Sequence, residues 1–427
     1  MSTGRTLMGW LFVALALAAG LAGTVIVLNR RGEAPITDAH RAPQPSSPGQ
    51  IERGRYLALA GNCAGCHTMR GGAAFAGGRG IETPFGTVFA GNLTPDPGTG
   101  LGSWSADQFW RAMHNGRSRD GRLLYPAFPY TSFTQITRED SDALYAWLRT
   151  LPPVVQANPP HALRFPYDTQ AALAVWRALN FSPAAFEPAP QQTAEWNRGA
   201  YLVNGLGHCI ACHGTRNWLG ATDATRGLAG GMLPGQAWYA PALDAKAEAG
   251  VAGWTTKDVV ELLKTGRNAH ATVTGPMGEV VSRSTQHLGE EDLRAMATYL
   301  RALPPRPGHA ARAEAASAPA SARVLRGEKI YAQECAWCHG ERGEGVAEVF
   351  PALAGNRAVG LANPANLIQM VRRGGYAPAT EGNPRPYGMP PFGHVLDDEE
   401  IAAVLTYIRS SWGHAASEVT LRDTMRR

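Results

Sequence analysis

Charge is scarce in this sequence. Asp, Glu, Lys and Arg make up 18% of its 427 residues, below the roughly one quarter usual for globular chains. The formal charge is only +5, and setting aside Arg5, Arg30 and Arg31 around the first apolar run leaves +2. No basic patch interleaved with aromatics occurs, which excludes a nucleic-acid surface. Cysteine is scarcer still, at six residues, and all six fall in one repeated motif, so no disulfide framework is available. Neither a nucleophile–base pair nor a substrate-site motif is present, so the chain is expected to oxidise no substrate by itself. The 44% of hydrophobic residues is enough for real cores, and the length suggests about two to four domains.

The six cysteines stand as Cys63-Ala64-Gly65-Cys66-His67, Cys209-Ile210-Ala211-Cys212-His213 and Cys335-Ala336-Trp337-Cys338-His339. Cys-x-x-Cys-His is the attachment signature of c-type haem. The two thiols add across the haem vinyl groups, and the following His reaches the iron. A zinc site, a disulfide pair or coincidence is a poor rival when three matches consume every cysteine. Three covalently bound haems c are expected, with His67, His213 and His339 as proximal ligands.

Trp10 to Leu28 is an apolar run without charge, close to the ~20 residues a bilayer-crossing helix needs. It is longer than the usual apolar core of a cleaved signal, so an uncleaved anchor is favoured, although Ala18-Ala19-Gly20 keeps cleavage open. Arg30 and Arg31 after the run make the positive-inside rule ambiguous. Covalent haem c is made outside the bacterial cytoplasmic membrane, which places the body in the periplasm.

The body reads as a threefold repeat. Each unit opens on a short helix with an aromatic: Tyr56, Tyr201 or Tyr331. Each closes on an amphipathic helix: Ile136 to Leu148, Leu288 to Leu300 and Leu396 to Ile408. Ile136 to Trp147, Leu288 to Tyr299 and Leu396 to Tyr407 all span eleven positions. The expected architecture is all-α: three tandem cytochrome c domains behind an N-terminal transmembrane helix. The boundaries are a signal-anchor over 1–31, a linker over 32–49 and domain 1 over 50–153. A Pro/aromatic connector over 154–190 leads to domain 2 over 191–305. A flexible linker over 306–322, domain 3 over 323–413 and a tail over 414–427 complete the chain. In the connector, Ala171 to Leu179 reads as a short helix. Phe165, Tyr167, Trp176 and Phe181 make it either an interdomain strap or a surface for a partner subunit or membrane.

A distal Met would fill the iron's coordination sphere and suit electron transfer, whereas an open position invites small ligands. Met389, in a Pro-rich loop, is the expected ligand of the third haem over Met370, which reads as packed in a helix. Met277 is expected for the second haem over Met232 and Met296. In the first unit Phe128 stands where Met is expected. Met113, His114 and an open iron shielded by Phe128 all remain, with Met113 preferred for its place on an apolar helix face. The carbonyls of Pro241 and Pro351, and the equivalent stretch Ala90-Gly91-Asn92-Leu93, are candidate partners for the proximal histidines.

With these residues in place the chain resembles the three-haem cytochrome c subunits of bacterial membrane-bound dehydrogenases. The resemblance is carried by Thr83-Pro84-Phe85-Gly86-Thr87, Asn92-Leu93-Thr94-Pro95-Asp96, Leu124 to Tyr130, Phe350 to Asn356 and Ile408 to Gly413. It implies an electron relay from a catalytic dehydrogenase subunit to ubiquinone or to a downstream cytochrome or oxidase. Partners in the family include quinoproteins that oxidise alcohols, flavoproteins that oxidise gluconate or other sugars and polyols, and molybdenum hydroxylases that oxidise aldehydes or N-heterocycles. The alcohol branch carries Met where this chain has Phe128, which tilts the expectation to the molybdenum type. Two alternatives stay open. An open first haem would bind ligands or reduce peroxide, and a cleaved chain would be a soluble shuttle.

Overall fold

The computed structural model describes residues 3–36, 46–306 and 321–425. Helix α1, Thr3–Arg30, takes up the first apolar run. Its segment Trp10–Arg30 is long and apolar enough to cross a membrane, about 32 Å at 1.5 Å per residue. Trp10, Phe12, Leu17 and Leu21 on it are all more than 60% exposed. This fits a membrane anchor or a signal sequence.

The chain divides into two compact units. One comprises Met1–Arg55 with His67–Phe186, the other Tyr56–Cys66 with Glu187–Arg427. The division falls inside helix α2, Pro48–Ala60, and again inside α3, Cys63–His67, the first haem motif.

In the first unit, strands β1 (Gly80–Thr83), β2 (Gly86–Phe89) and β3 (Ala162–Leu163) form an antiparallel sheet in that order. Helix α4, Ala106–Asn115, starts on a capping box between Ser105 and Gln108 and stops at left-handed Gly116, the strong start and stop signals for a helix. The short α5, Tyr130–Phe133, leads to α6, Arg138–Leu148, capped by Thr137. Helix α7, Gln170–Asn180, is capped by Thr169 and covers the segment expected from the sequence. Phe109, Tyr130, Ile136 and Leu144 are buried at the centre of this unit.

The second unit contains two similar helix sets. The earlier one holds α8 (Ala194–Asn204), α9 (Ile210–His213), α10 (Thr256–Thr265), α11 (Pro276–Arg283) and α12 (Glu290–Arg301), with a small ladder of β4 (Gly231–Met232) and β5 (Tyr239–Ala240). The later one holds α13 (Ala322–Ile330), α14 (Ala336–His339), α15 (Arg357–Gly360), α16 (Ala365–Arg373), α17 (Asp398–Ser410) and α18 (Leu421–Met425). Its ladder pairs β6 (Gly375–Tyr376) with β7 (Gly388–Met389). The two sets are joined through Asn366, whose side chain bonds both the N–H and the C=O of Tyr239 at 2.8 Å. Arg357 also lies 5.1 Å over the Trp254 ring. The segment Tyr56–Cys66 is held in this unit by Tyr56, whose hydroxyl donates to Asp292 at 2.7 Å while Arg198 bonds the same carboxylate. The short ladders were not expected from sequence. Two-residue strands leave no alternation to detect.

One contact recurs three times. Gly54 of α2 packs on the backbone of Ala143 in α6, Gly199 of α8 on Ala295 in α12, and Gly327 of α13 on Ala403 in α17. A methyl group at any of them would sit inside the carbonyl oxygen it faces, and 2.8–2.9 Å from the Cβ of Trp147, Tyr299 or Tyr407. Each opening helix thus crosses its closing helix at backbone distance, which only glycine permits. Because the obstacle is backbone, no side chain can rotate away. Gly199→Ala is expected to destabilise the haem-loaded protein by at least about 3 kcal/mol in denaturant unfolding. Gly49→Ala, in α2 with no neighbour within 4 Å, should be neutral or slightly stabilising. Equal stability of the two variants would contradict this crossing.

Candidate haem sites

Each Cys-x-x-Cys-His run lies on a single helical turn. The first two are entered through left-handed residues, Asn62 (φ 47°) before Cys63 and His208 (φ 36°) before Cys209. Asn and His are among the residues that tolerate this region. The third is entered through a π-helical turn, Tyr331–Cys335, a distortion that clusters at functional sites. None of the six cysteines is in a disulfide. Burial, with the neighbouring cysteine second, pushes the Cys63 and Cys209 thiols up to about 12. Cys335 is pushed up to about 12 by burial and then by Glu334.

The three histidines share one environment. Nδ1 of His67 is 2.7 Å from Gly91 O, that of His213 is 2.7 Å from Pro241 O, and that of His339 is 3.0 Å from Pro351 O. These are the carbonyl stretches expected from the sequence. A carbonyl can only accept, so each Nδ1 carries the proton and donates. Nε2 keeps its lone pair for a metal. Burial lowers the pKa of all three rings against the opposing effect of the carbonyl. The neutral imidazole, the form that binds metal, is therefore favoured.

A second recurring feature was not expected. The carbonyl of His67 accepts from Gly77 N–H at 2.8 Å, that of His213 from Gly230 at 2.7 Å and that of His339 from Gly345 at 2.7 Å. All three glycines are left-handed, with φ of 80°, 78° and 66°. A Cβ on them would meet Asn92 N, Ala242 N or Ala352 N at 2.7 Å. Each glycine therefore bonds the backbone of a histidine and lies close against the stretch whose carbonyl holds its ring. They follow their histidines by 10, 17 and 6 positions, so no fixed spacing betrays them. Left-handed geometry is their only common signal.

The candidate distal residues are placed as follows. Met389 ends β7 and packs against the cluster of Tyr331, Val371, Ile401 and Leu405 that also borders Cys335. Gly374, left-handed at φ 64°, lets the chain pass against the Met389 backbone. Met370 lies in α16, as expected. Met277 follows Pro276 at the start of α11 and is half-buried. Met296 is 4% exposed within α12, and the Met232 sulfur accepts from Asn363 at 3.2 Å. Met113 is buried on α4 beside Phe109 and Ala112. His114 is half-buried: its ring stacks on Trp110 at 4.5 Å and its Nδ1 lies 3.4 Å from Thr134 Oγ1. Phe128 packs 5.4 Å from Phe133.

This donor set fits c-type haem. Among the described residues no group of three or more His, Cys, Asp or Glu converges as a metal-ion cage. Arg216 Nη1 and Thr215 Oγ1, just after His213, are buried without a partner. A buried unpaired guanidinium nitrogen is costly, and a haem propionate is the group that would satisfy it.

The family model for cytochrome c matches residues 51–152 and 324–412. The chain is 43% identical over 85% of its length to a nicotinate dehydrogenase subunit of Pseudomonas putida, of which it spans 30%. It is 39% identical to the cytochrome c subunit of alcohol dehydrogenase (quinone) of Komagataeibacter europaeus, over 88% of this chain and 84% of that one. With the gluconate 2-dehydrogenase cytochrome c subunit of Pantoea cypripedii it shares 37% identity over 91% of both chains. The chain belongs to the family of cytochrome c subunits of bacterial dehydrogenases and, as a cytochrome c, carries covalent haem c.

Proposed function

We propose that the chain is the electron-relay subunit of a periplasmic, membrane-bound dehydrogenase, built as three tandem cytochrome c domains with one haem c each. It passes electrons from a catalytic subunit to ubiquinone or to a downstream cytochrome or oxidase. The observation that carries this reading is the triple recurrence of one histidine environment, with its Nδ1–carbonyl bond and its left-handed glycine. The haem iron supplies one-electron chemistry. The chain supplies thioether anchors at Cys63, Cys66, Cys209, Cys212, Cys335 and Cys338. His67, His213 and His339 are the proximal ligands, oriented by their carbonyls. Met277 and Met389 are the distal ligands of the second and third irons, and Met113 that of the first.

A relay also needs its attachment points close together. Within the second unit, the residues leading into the first two motifs meet, with His208 Nε2 3.4 Å from Gly61 O, and Ser284, just after α11, donates to Ala60 O at 3.3 Å. The bonds of Asn366 to Tyr239 hold the later two helix sets in register. For the partner, a molybdenum hydroxylase acting on an N-heterocycle is the favoured class. The missing Met at Phe128 and the relative named for nicotinate support it.

Carbon monoxide tests the ligand assignment. The reduced wild-type protein should show no spectral change with carbon monoxide. Met277→Ala and Met389→Ala should each open one haem to it, and Met113→Ala the first haem. A wild-type haem that binds carbon monoxide would overturn the closed-relay reading in favour of an open first site.

Arg216 gives a second test. A buried cation beside a haem stabilises the reduced, less positive state, so Arg216→Gln should lower the potential of one haem and leave the other two unchanged in a redox titration. An unshifted titration would remove Arg216 from that site.

A further inference from the structure

Helix α7 is built inside out. Its one charged side chain, Arg177, is 3% exposed. Ala171, Val175 and Leu179, which share a face at i, i+4 and i+8, point outward, with Val175 48% and Leu179 69% exposed. Just before the helix, Phe165 is 81% exposed and Tyr167 41%. A surface helix in water carries the opposite pattern.

The buried side explains what α7 is attached to. Arg177 Nε donates to Asn29 Oδ1 at 2.9 Å, and its guanidinium lies 5.1 Å from the Tyr130 ring and 4.9 Å from that of Phe181. Asn29 belongs to the last turn of α1, and its Nδ2 also donates to Ala174 O in α7 at 2.8 Å. The chain leaving α1 is fixed as well. Arg117 donates to Asn29 O at 3.1 Å and pairs with Glu33 at 2.9 Å, and Asn115 reaches Gly32 O at 3.4 Å. The end of the apolar helix is thus clamped to α7 rather than joined to it by slack chain.

We infer that α7, with the Phe165–Tyr167 turn, lies in the outer interface of the bilayer that α1 crosses, its Ala171–Val175–Leu179 face among the acyl chains. The occupant of that face is lipid. Two observations choose lipid over a protein partner. The helix that carries the face is bonded directly to the end of the helix that enters the membrane, and Arg30 and Arg31 at that end and Arg164 next to Phe165 are exposed, placed to meet anionic phosphates as at other interfacial helices. The inference rests on the reading of α1 as a retained anchor. It makes the exit of the anchor a rigid joint, so that the first unit has a fixed posture on the membrane.

Spin labels test this on the full haem-loaded chain in vesicles of phosphatidylethanolamine and phosphatidylglycerol, without any dehydrogenase subunit. Labels are placed by Leu179→Cys, by Leu21→Cys within α1 and by Glu139→Cys, whose side chain is 78% exposed on α6. The readout is collision with oxygen, which enriches in lipid, against a water-soluble nickel chelate. Leu179 should fall on the Leu21 side of the midpoint between the two reference labels. If Leu179 behaves like Glu139 while Leu21 is in lipid, the anchor stands and the interfacial helix is refuted, leaving a protein partner for that face. If Leu21 itself is in water, both readings fall.

Discussion

An imidazole serves a metal through whichever nitrogen carries no proton. The fold settles that choice by giving each motif histidine a backbone carbonyl at Nδ1, at 2.7 to 3.0 Å. Much of the local architecture follows from the need to hold that carbonyl still. The stretch that supplies the carbonyl must run beside the histidine, so a left-handed glycine bonds the histidine's own carbonyl where no Cβ would fit. Burial of the ring then favours its neutral form. The same arrangement recurs whether the intervening loop is long or short.

Around these stretches, the helix crossings serve a different need. Two helices in each repeat gain rigidity by touching at backbone distance, through Gly54, Gly199 and Gly327. The second unit takes this further, because the earlier and later helix sets and the segment Tyr56–Cys66 share one body. Asp292, shared between Tyr56 and Arg198, and Asn366, spanning the backbone of Tyr239, are the polar joints in it. For a conductor this is an advantage, since distances between attachment points stay fixed while electrons move.

What could be read from the sequence divides along physical lines. Contiguous chemistry was legible: the haem motifs, the closing helices and the connector helix, which covers Gln170–Asn180. The carbonyl stretches at Gly91, Pro241 and Pro351 were legible because the three units repeat. Gly77, Gly230 and Gly345 were not, since their offsets from histidine differ and positive φ leaves no trace in spacing. Nor was the orientation of α7. Its composition announces a helix, but only contact with Asn29 reveals that Arg177 faces inward. His114 shows the same limit, because helical register does not reveal that Trp110 stacks on its ring. The division inside α2 was likewise invisible, because periodicity shows which face a helix buries and not which body receives it.

The account stands on three porphyrins held by thioether bonds, and mass under denaturing conditions measures this most directly. Protein matured in a host with haem c assembly should weigh more than its polypeptide by three haems. The colour should stay with the protein in acid acetone. Fewer than three additions, or haem that washes out, would contradict the account.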